Sequence, residues 1–372
     1  DRILEKLLEA QQQQDENNRR FTEKYCQNIA EELNKLDLFG IHRNRGGDII
    51  EQQELSVAYI ELNIEETNRE DEQPEEAQLR RQIEAEWRGK EQEQHHRLGM
   101  RSGPAAKLLN KIRRAVIRGA AGSGKSTLLQ WLAIYTAKNE LPPELESWRG
   151  SIPFFIRLRQ YVDKPLPKPE EFPMLYAGNW ASIKPADWTF RILDSTRALV
   201  LVDGLDEMPA EQRPVALKWL SDLVRDFPYA RFIVSSRPSA ITEQEFPTWQ
   251  QWTEEQDFAA IAMRDMTLPQ IEEFVEHWYA ALIKLESRER HPKSFGGYAE
   301  DLKRQMRNRR ELQRLATNPL LCAMISLLHS GNPQNVPTKR LRLYRVSIEL
   351  LLFGRDRHRE IDLDNPVNKL LD

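Results

Sequence analysis

Gly119-Ala120-Ala121-Gly122-Ser123-Gly124-Lys125-Ser126-Thr127 has the residue types and spacing that grip a polyphosphate, the pattern G-x-x-x-x-G-K-S/T. Its glycines let the backbone turn tightly enough for successive N–H groups to surround phosphate oxygens, and the positive end of the following helix faces the same charge. In that geometry Lys125 reaches the β- and γ-phosphates and Ser126 offers its hydroxyl to Mg²⁺. The stretch stands where such a loop must stand. The apolar run Ala115 to Ile117 precedes it and the amphipathic stretch Leu128 to Ala137 follows. A glycine-rich turn matching by accident has no reason to show that context.

A phosphate cradle needs a second element to hold the metal and place water. Ala198-Leu-Val-Leu-Val202, ending in Asp203-Gly204-Leu205-Asp206-Glu207, supplies one. Asp203, at the carboxyl end of a buried strand, is where a carboxylate meets Mg²⁺, usually through water. Gly204 makes a turn possible, and beyond it Asp206 and Glu207 are the candidates to orient or activate the attacking water. The sequence leaves open which of them points inward; a solvated acidic turn is the alternative. Arg237, after the run Arg231 to Ser236, is placed to sense a third phosphate from a strand between the other two, with an ordinary surface arginine as the plainer reading.

The elements that position these residues follow from periodicity. Residues 1–20 are polar, a solvated helix or a flexible lead-in. Phe21, Tyr25, Ile29 and Leu33 then mark one face of a helix expected to stop near Phe39-Gly40. A β-like run spans Leu55 to Ile64. Glu65 to Arg97 is charge-dense and reads as an exposed linker or solvated helix, with a boundary near Ser102-Gly103-Pro104. Strands are expected at Ile152 to Arg159, Ala198 to Val202, Arg231 to Ser236 and Phe258 to Met263, with a helix from about Ala210 to Asp226. Pro165 to Trp188 reads as irregular structure or short helices. Alternation of this kind predicts an α/β fold, a parallel sheet covered by helices. After Asp265 only helices are expected. Thr267-Leu-Pro-Gln270 is a capping-box start leading into Ile271, Phe274, Val275, Trp278 and Leu282, and further helices follow over 298–316, 319–329 and 340–353. The expected domains are an N-terminal helical and strand region at 1–66, a charged linker at 67–104, an NTPase at 105–265 and a helical domain at 266–353.

Composition narrows the class. A net charge of −4 over 372 residues excludes a globally basic nucleic-acid binder. Cys26 and Cys322 lie in apolar helical patterns with no C-x-x-C pairing, which is the usage of a reducing compartment. No apolar run approaches the roughly eighteen residues of a membrane span, and a cytoplasmic protein is the expectation. A start without Met and an end that looks ready to continue suggest part of a longer chain. Three other signals carry less. Asn34-Lys35-Leu36-Asp37 matches a guanine-reading pattern but precedes the phosphate loop, inside a helical pattern. His95-His96 lacks further ligands at metal spacing. The basic cluster Lys303 to Arg314 is interleaved with Glu311 and reads as a solvated face, so nucleic acid is not an expected partner.

Taken together, Gly119 to Thr127, Ile152 to Arg159, Leu199 to Glu207, Ser235-Ser236-Arg237-Pro238, Asn318-Pro319-Leu320-Leu321 and Leu343-Tyr344 resemble the NACHT family of the STAND class of P-loop NTPases. A small residue after the strand aspartate, here Gly204, followed by two acids is that family's mark. The likeness covers about residues 105–355. It implies an AAA+/STAND-like fold and an ATP- and ADP-binding, Mg²⁺-dependent switch of the innate-immunity type, in bacteria commonly an antiphage sensor. It further implies slow, regulated hydrolysis, a trigger ligand sensed by a C-terminal region, and a homo-oligomer on activation. By the same resemblance Pro319 packs against the adenine, although it also suits the first position of a helix, and residues 354–372 begin a winged helix. A continuously cycling AAA+-like motor and a scaffold with a structural nucleotide remain the competing readings.

Overall fold

The computed structural model describes residues 2–36, 53–54, 62–66, 102–237, 246–286, 295–334 and 336–345. In chain order the elements are α1 (Arg2–Leu33), β1 (Lys35–Leu36), β2 (Gln53–Glu54), β3 (Asn63–Glu66), β4 (Ser102–Pro104), α2 (Ala105–Leu109), β5 (Arg114–Arg118), α3 (Lys125–Lys138), β6 (Ile152–Arg157), α4 (Trp188–Leu193), β7 (Ala198–Asp203), α5 (Arg213–Asp226), β8 (Arg231–Ser236), α6 (Phe246–Glu255), β9 (Ala259–Met263), α7 (Leu268–Glu286), α8 (Tyr298–Asn308), α9 (Arg310–Ala316) and α10 (Pro319–Gly331). They divide into two units, residues 1–34 with 61–265 and residues 35–60 with 266–372. No helix among the described residues is long and apolar enough to cross a membrane.

The first unit is an α/β P-loop fold around a seven-stranded sheet ordered β4-β3-β9-β5-β8-β7-β6. The five strands from β9 to β6 are parallel, and β3 joins β9 and β4 antiparallel. All six residues of β7 are buried, so its apolar run is continuous rather than alternating, as a strand covered on both faces requires. The chain leaves β5 for the far edge at β6, returns through β7 and β8, and then crosses to β9 on the other side of β5. That reversal of direction at β5 opens the crevice at the carboxyl ends of the strands where such sheets take their ligands.

Between residues 165 and 188 the chain forms short 3-10 turns at Pro169–Leu175 and Gly178–Ile183, in keeping with its Pro-rich composition. The helix expected from Ala210 begins at Arg213, after a 3-10 turn over Ala210–Gln212.

Helix α3 is apolar nearly all round, burying Leu128, Leu129, Trp131, Leu132, Ala133 and Ile134, and therefore needs cover on both sides. The sheet provides one side and α1 the other. The predicted stripe Phe21, Tyr25, Ile29 and Leu33 is buried. The Tyr25 hydroxyl donates to the Pro153 carbonyl at 2.8 Å, and Trp188 Nε1 donates to Thr22 Oγ1 at 2.8 Å. Helix α1 thus packs within the unit that holds the sheet. Helix α1 is exposed over residues 11–17. It ends at Leu33 and not near Phe39-Gly40, because Lys35 and Leu36 pair with Glu54 and Gln53 in a short ladder, which also takes them out of a helix. Of the strand expected over 55–64, only its carboxyl end falls within the described residues, and Ile64 lies in β3. Ser102-Gly103-Pro104, expected as a boundary, is the sheet's edge strand, a place that tolerates Gly and Pro.

Beyond the short β1–β2 ladder, the described part of the second unit is helical. Ile271, Phe274, Val275, Trp278 and Tyr279 of α7 are buried with Leu302, Met306, Leu312, Ala316 and Ile325. The expected cap forms in part, Thr267 N donating to Gln270 Oε1 at 3.0 Å. The helix expected over 298–316 is broken at Arg309, which is extended (φ −121°, ψ 96°) and separates α8 from α9. Positions 340–345 are helical, and the remainder of the helix expected to 353 lies outside the described residues. Three cations of the basic cluster are paired within the unit: Lys303 is held by Glu276 at 2.6 Å and Glu300 at 2.5 Å, Arg307 by Glu272 at 2.5 Å, and Arg304 by Asp301.

Buried His329 joins three helices. Its Nδ1 lies 2.6 Å from the Tyr279 hydroxyl and its Nε2 lies 3.0 Å from Asp301 Oδ2. Burial holds His329 below its usual 6.5, and the hydrogen bond from His329 holds Asp301 below its usual 3.8. Both shifts mean that the unfolded chain binds more protons, so this stability is complete above pH 6.5 and is lost as pH falls through the folded values. Hydrogen exchange in α7, α8 and α10 should accelerate as pH drops below about 6.5, after correction for intrinsic rates, and His329→Gln should flatten that dependence. In the first unit, Tyr25→Phe should cost about 1 kcal/mol in chemical denaturation by orphaning the Pro153 carbonyl.

Candidate active site

The loop from Gly119 to Gly124 joins β5 to α3, with Gly122 (φ +76°) and Gly124 (φ +92°) in the left-handed region. Gly119 is required for closeness: a Cβ there would lie 2.5 Å from Ser123 Oγ and 3.0 Å from Met263 Cβ. Ser123 Oγ is buried without a hydrogen-bond partner among the described residues. An unsatisfied buried hydroxyl of this kind costs about 1–3 kcal/mol, and in a loop with this geometry an anion is the partner that fits. Lys125 Nζ donates to the carbonyls of Gly119 at 2.5 Å and Ala120 at 3.0 Å, which holds the ammonium over the loop. Burial lowers the pKa of Lys125, while Asp206, Asp203 and Glu207 pull it the other way.

Asp203 is the junction of the site. Its Oδ1 accepts from Ser126 Oγ at 2.9 Å and from Ser235 Oγ at 2.7 Å, and Ser235 Oγ in turn accepts from the Gly204 N–H at 2.9 Å. Gly204 turns the chain in the left-handed region (φ +81°), and a Cβ there would meet Glu207 Cδ at 2.9 Å. The two acids beyond it differ. Asp206 is nearly buried, with Oδ1 accepting from the Arg237 N–H at 3.1 Å and Oδ2 in an ion pair with Arg237 Nε at 2.9 Å. The Glu207 carboxylate has no hydrogen bond or ion pair among the described residues. Burial, then the neighbouring Asp203 charge, raises its pKa against the pull of Arg159.

Lys125, Ser126, Asp203, Asp206, Glu207 and Arg237 therefore gather at the carboxyl ends of β5, β7 and β8, and Arg237 follows the strand that lies between β5 and β7. Ala120, Ala121 and Thr127 complete the loop and first helical turn. Ser126 and Asp203 suit Mg²⁺, which takes one or two protein oxygens and keeps waters and phosphate oxygens for the rest. Among the described residues no group of three or more His, Cys, Asp or Glu is arranged to hold a metal by itself. Pro319 belongs to the helical unit, where it opens α10 behind Asn318, whose Oδ1 accepts from Leu320 N at 3.1 Å and Leu321 N at 3.2 Å. Asp37, His95, His96 and Pro238 lie outside the described residues. Ser235 and Arg159 received no role from the sequence. Ser235 stood inside the Ser-Ser-Arg-Pro run, but only a register between β7 and β8 reveals its bond to Asp203.

Residues 113–281 match the model of the NACHT domain. These residues are a NACHT-family P-loop NTPase domain. Solved structures similar to this chain include domain III of the replication initiation protein DnaA from Thermotoga maritima, with 12% identity over 67% of this chain and 88% of that one (TM-score 0.31). The Walker-type ATPase paby2304 of Pyrococcus abyssi matches at 13% identity over 69% of this chain and 74% of that one (TM-score 0.37). The Hsp104-ADP complex of S. cerevisiae matches at 13% identity over 72% of this chain and 36% of that one (TM-score 0.38). The family match carries the assignment. Comparison with curated proteins finds no match.

Ser235→Ala should release one of the two hydroxyls on Asp203 and orphan the Gly204 N–H, costing about 1–3 kcal/mol. Denaturant titration should show that loss, and Mg²⁺-supported nucleotide binding should weaken with it.

Proposed function

We propose that this NTPase binds ATP and ADP with Mg²⁺, hydrolyses ATP slowly, and acts as a switch whose nucleotide state couples a trigger to exchange and homo-oligomerisation. The observation that carries this reading is Arg237, half-exposed beside the acids at the end of β8. A guanidinium in that position gains energy from a third phosphate and little from a second. A switch requires such unequal affinities, since a ligand that binds both states equally shifts neither.

In this reading the loop N–H groups and Lys125 bind the phosphates, and Ser126 and Asp203 hold the metal. Bound Mg²⁺ supplies positive charge to the β- and γ-phosphate oxygens. Hydrolysis forms a bond from water oxygen to the terminal phosphorus and breaks the bond from that phosphorus to the bridging oxygen. The nucleoside diphosphate leaves with the electron pair, and the water proton passes to a carboxylate at Asp206 or Glu207. Antiphage defence, a trigger read by a C-terminal region and a cytoplasmic setting are what membership in this family suggests for the whole protein.

Purified protein should carry ADP, released by denaturation and identified by chromatography, and should turn over ATP at a near-zero basal rate. Steady turnover of many ATP per second without a trigger would instead mark a cycling motor. Lys125→Ala should lose nucleotide binding; wild-type ATP affinity in that variant would remove the site assignment.

A further inference from the structure

We propose that Asp206 is a positioning residue that aims Arg237 at the third phosphate, leaving Glu207 as the one acid of the pair to take the water proton. The inference rests on the reading of Arg237 as the group that senses that phosphate, and it deepens that reading. Its basis is the way Asp206 uses both oxygens on one residue. Oδ1 accepts from the main-chain N–H of Arg237 at 3.1 Å, and Oδ2 forms an ion pair with Nε at 2.9 Å. Binding an arginine by its own backbone and by the first nitrogen of its guanidinium fixes both the root of the side chain and the plane of its head.

What Asp206 leaves untouched matters as much. A guanidinium carries five N–H donors in a rigid fork. Asp206 pairs with the Nε edge, and no hydrogen bond joins an Nη nitrogen of Arg237 to another described residue. The Nη edge is the one that pairs with two oxygens of a phosphate. The side chain is 45% exposed while Asp206 is 6% exposed, so the clamp is buried and the business end of the fork is open. A carboxylate engaged in this way has its best acceptor directions filled by Arg237, and taking a proton would break the clamp.

Glu207 has the complementary environment. Its carboxylate lies over Gly204, close enough that a Cβ there would come within 2.9 Å of Cδ and 3.0 Å of Oε2. It has no hydrogen bond or ion pair among the described residues and is exposed, so its carboxylate is open to a water. An amide at position 206 could not replace the carboxylate, because the clamp needs two acceptors facing two donors and an amide offers one acceptor and one donor group.

The test is an equilibrium titration of fluorescent ATP and ADP analogues, with the slow turnover followed in parallel as single-turnover hydrolysis of bound ATP over hours, on the whole chain and on R237A, D206A, D206N, E207Q and the double variant D206A/R237A. R237A should lower the preference for ATP over ADP about tenfold or more, the loss of a charge-assisted bond. D206A should lower that preference by a similar factor with ADP affinity changed far less, and the double variant should lose little beyond either single one. D206N should fall between wild type and D206A, and its thermal melting shows whether an observed loss reflects unfolding. E207Q should keep the preference and lose turnover. If D206A and D206N keep the ATP preference while turnover collapses, Asp206 places the water and the proposal is overturned. If R237A itself keeps the preference, the sensing reading fails first and this proposal with it.

Discussion

One carboxylate oxygen holds three segments of the chain in register. Asp203 Oδ1 receives the hydroxyl of Ser126, from the first turn after the phosphate loop, and that of Ser235, from the strand beside it. Ser235 passes the constraint on by accepting the Gly204 N–H, which sets where the acids beyond the turn begin. The phosphate loop, the end of β7 and the end of β8 are thereby tied at one atom. A metal bound there would meet a hydroxyl and a carboxylate already facing each other, so little reorganisation is asked of the protein.

That tie is useful only on a rigid platform. The sheet places β5 next to β8 and β8 next to β7, so the ends of three neighbouring strands supply the loop, the arginine and the acids. Behind them α3 is apolar on nearly every face, and the stripe Phe21, Tyr25, Ile29 and Leu33 of α1 covers the side that the sheet leaves open. A helix that ends at Leu33, far upstream of the phosphate loop, thus stabilises the helix whose first turn carries Lys125 and Ser126. The linker-like composition between them gives no hint of that partnership, because burial across such a distance in sequence leaves no local periodicity.

Much of the site was legible in the residues themselves. A glycine loop between a strand and a helix, and an apolar run ending in Asp203, each carry their chemistry in local spacing, and the match to the NACHT domain over residues 113–281 agrees with the family resemblance those stretches showed. What was not legible depends on partners distant in sequence. Whether Asp206 or Glu207 meets Arg237 is decided by the turn at Gly204 and the register of β7 against β8, neither of which periodicity reveals. Likewise Ser102-Gly103-Pro104 looks like a break until β3 pairs with it, and α1 stops early because Lys35 and Leu36 find a strand partner. The break at Arg309 has no Gly or Pro to announce it.

The central claim is that one site, formed by the loop and the ends of β7 and β8, distinguishes ATP from ADP. Hydrogen–deuterium exchange with saturating Mg²⁺ and either nucleotide tests it directly. The account predicts that both nucleotides protect residues 119–127 and that ATP adds protection at 203–207 and 235–237. Identical protection by the two nucleotides, or protection that leaves residues 119–127 unchanged, would contradict it.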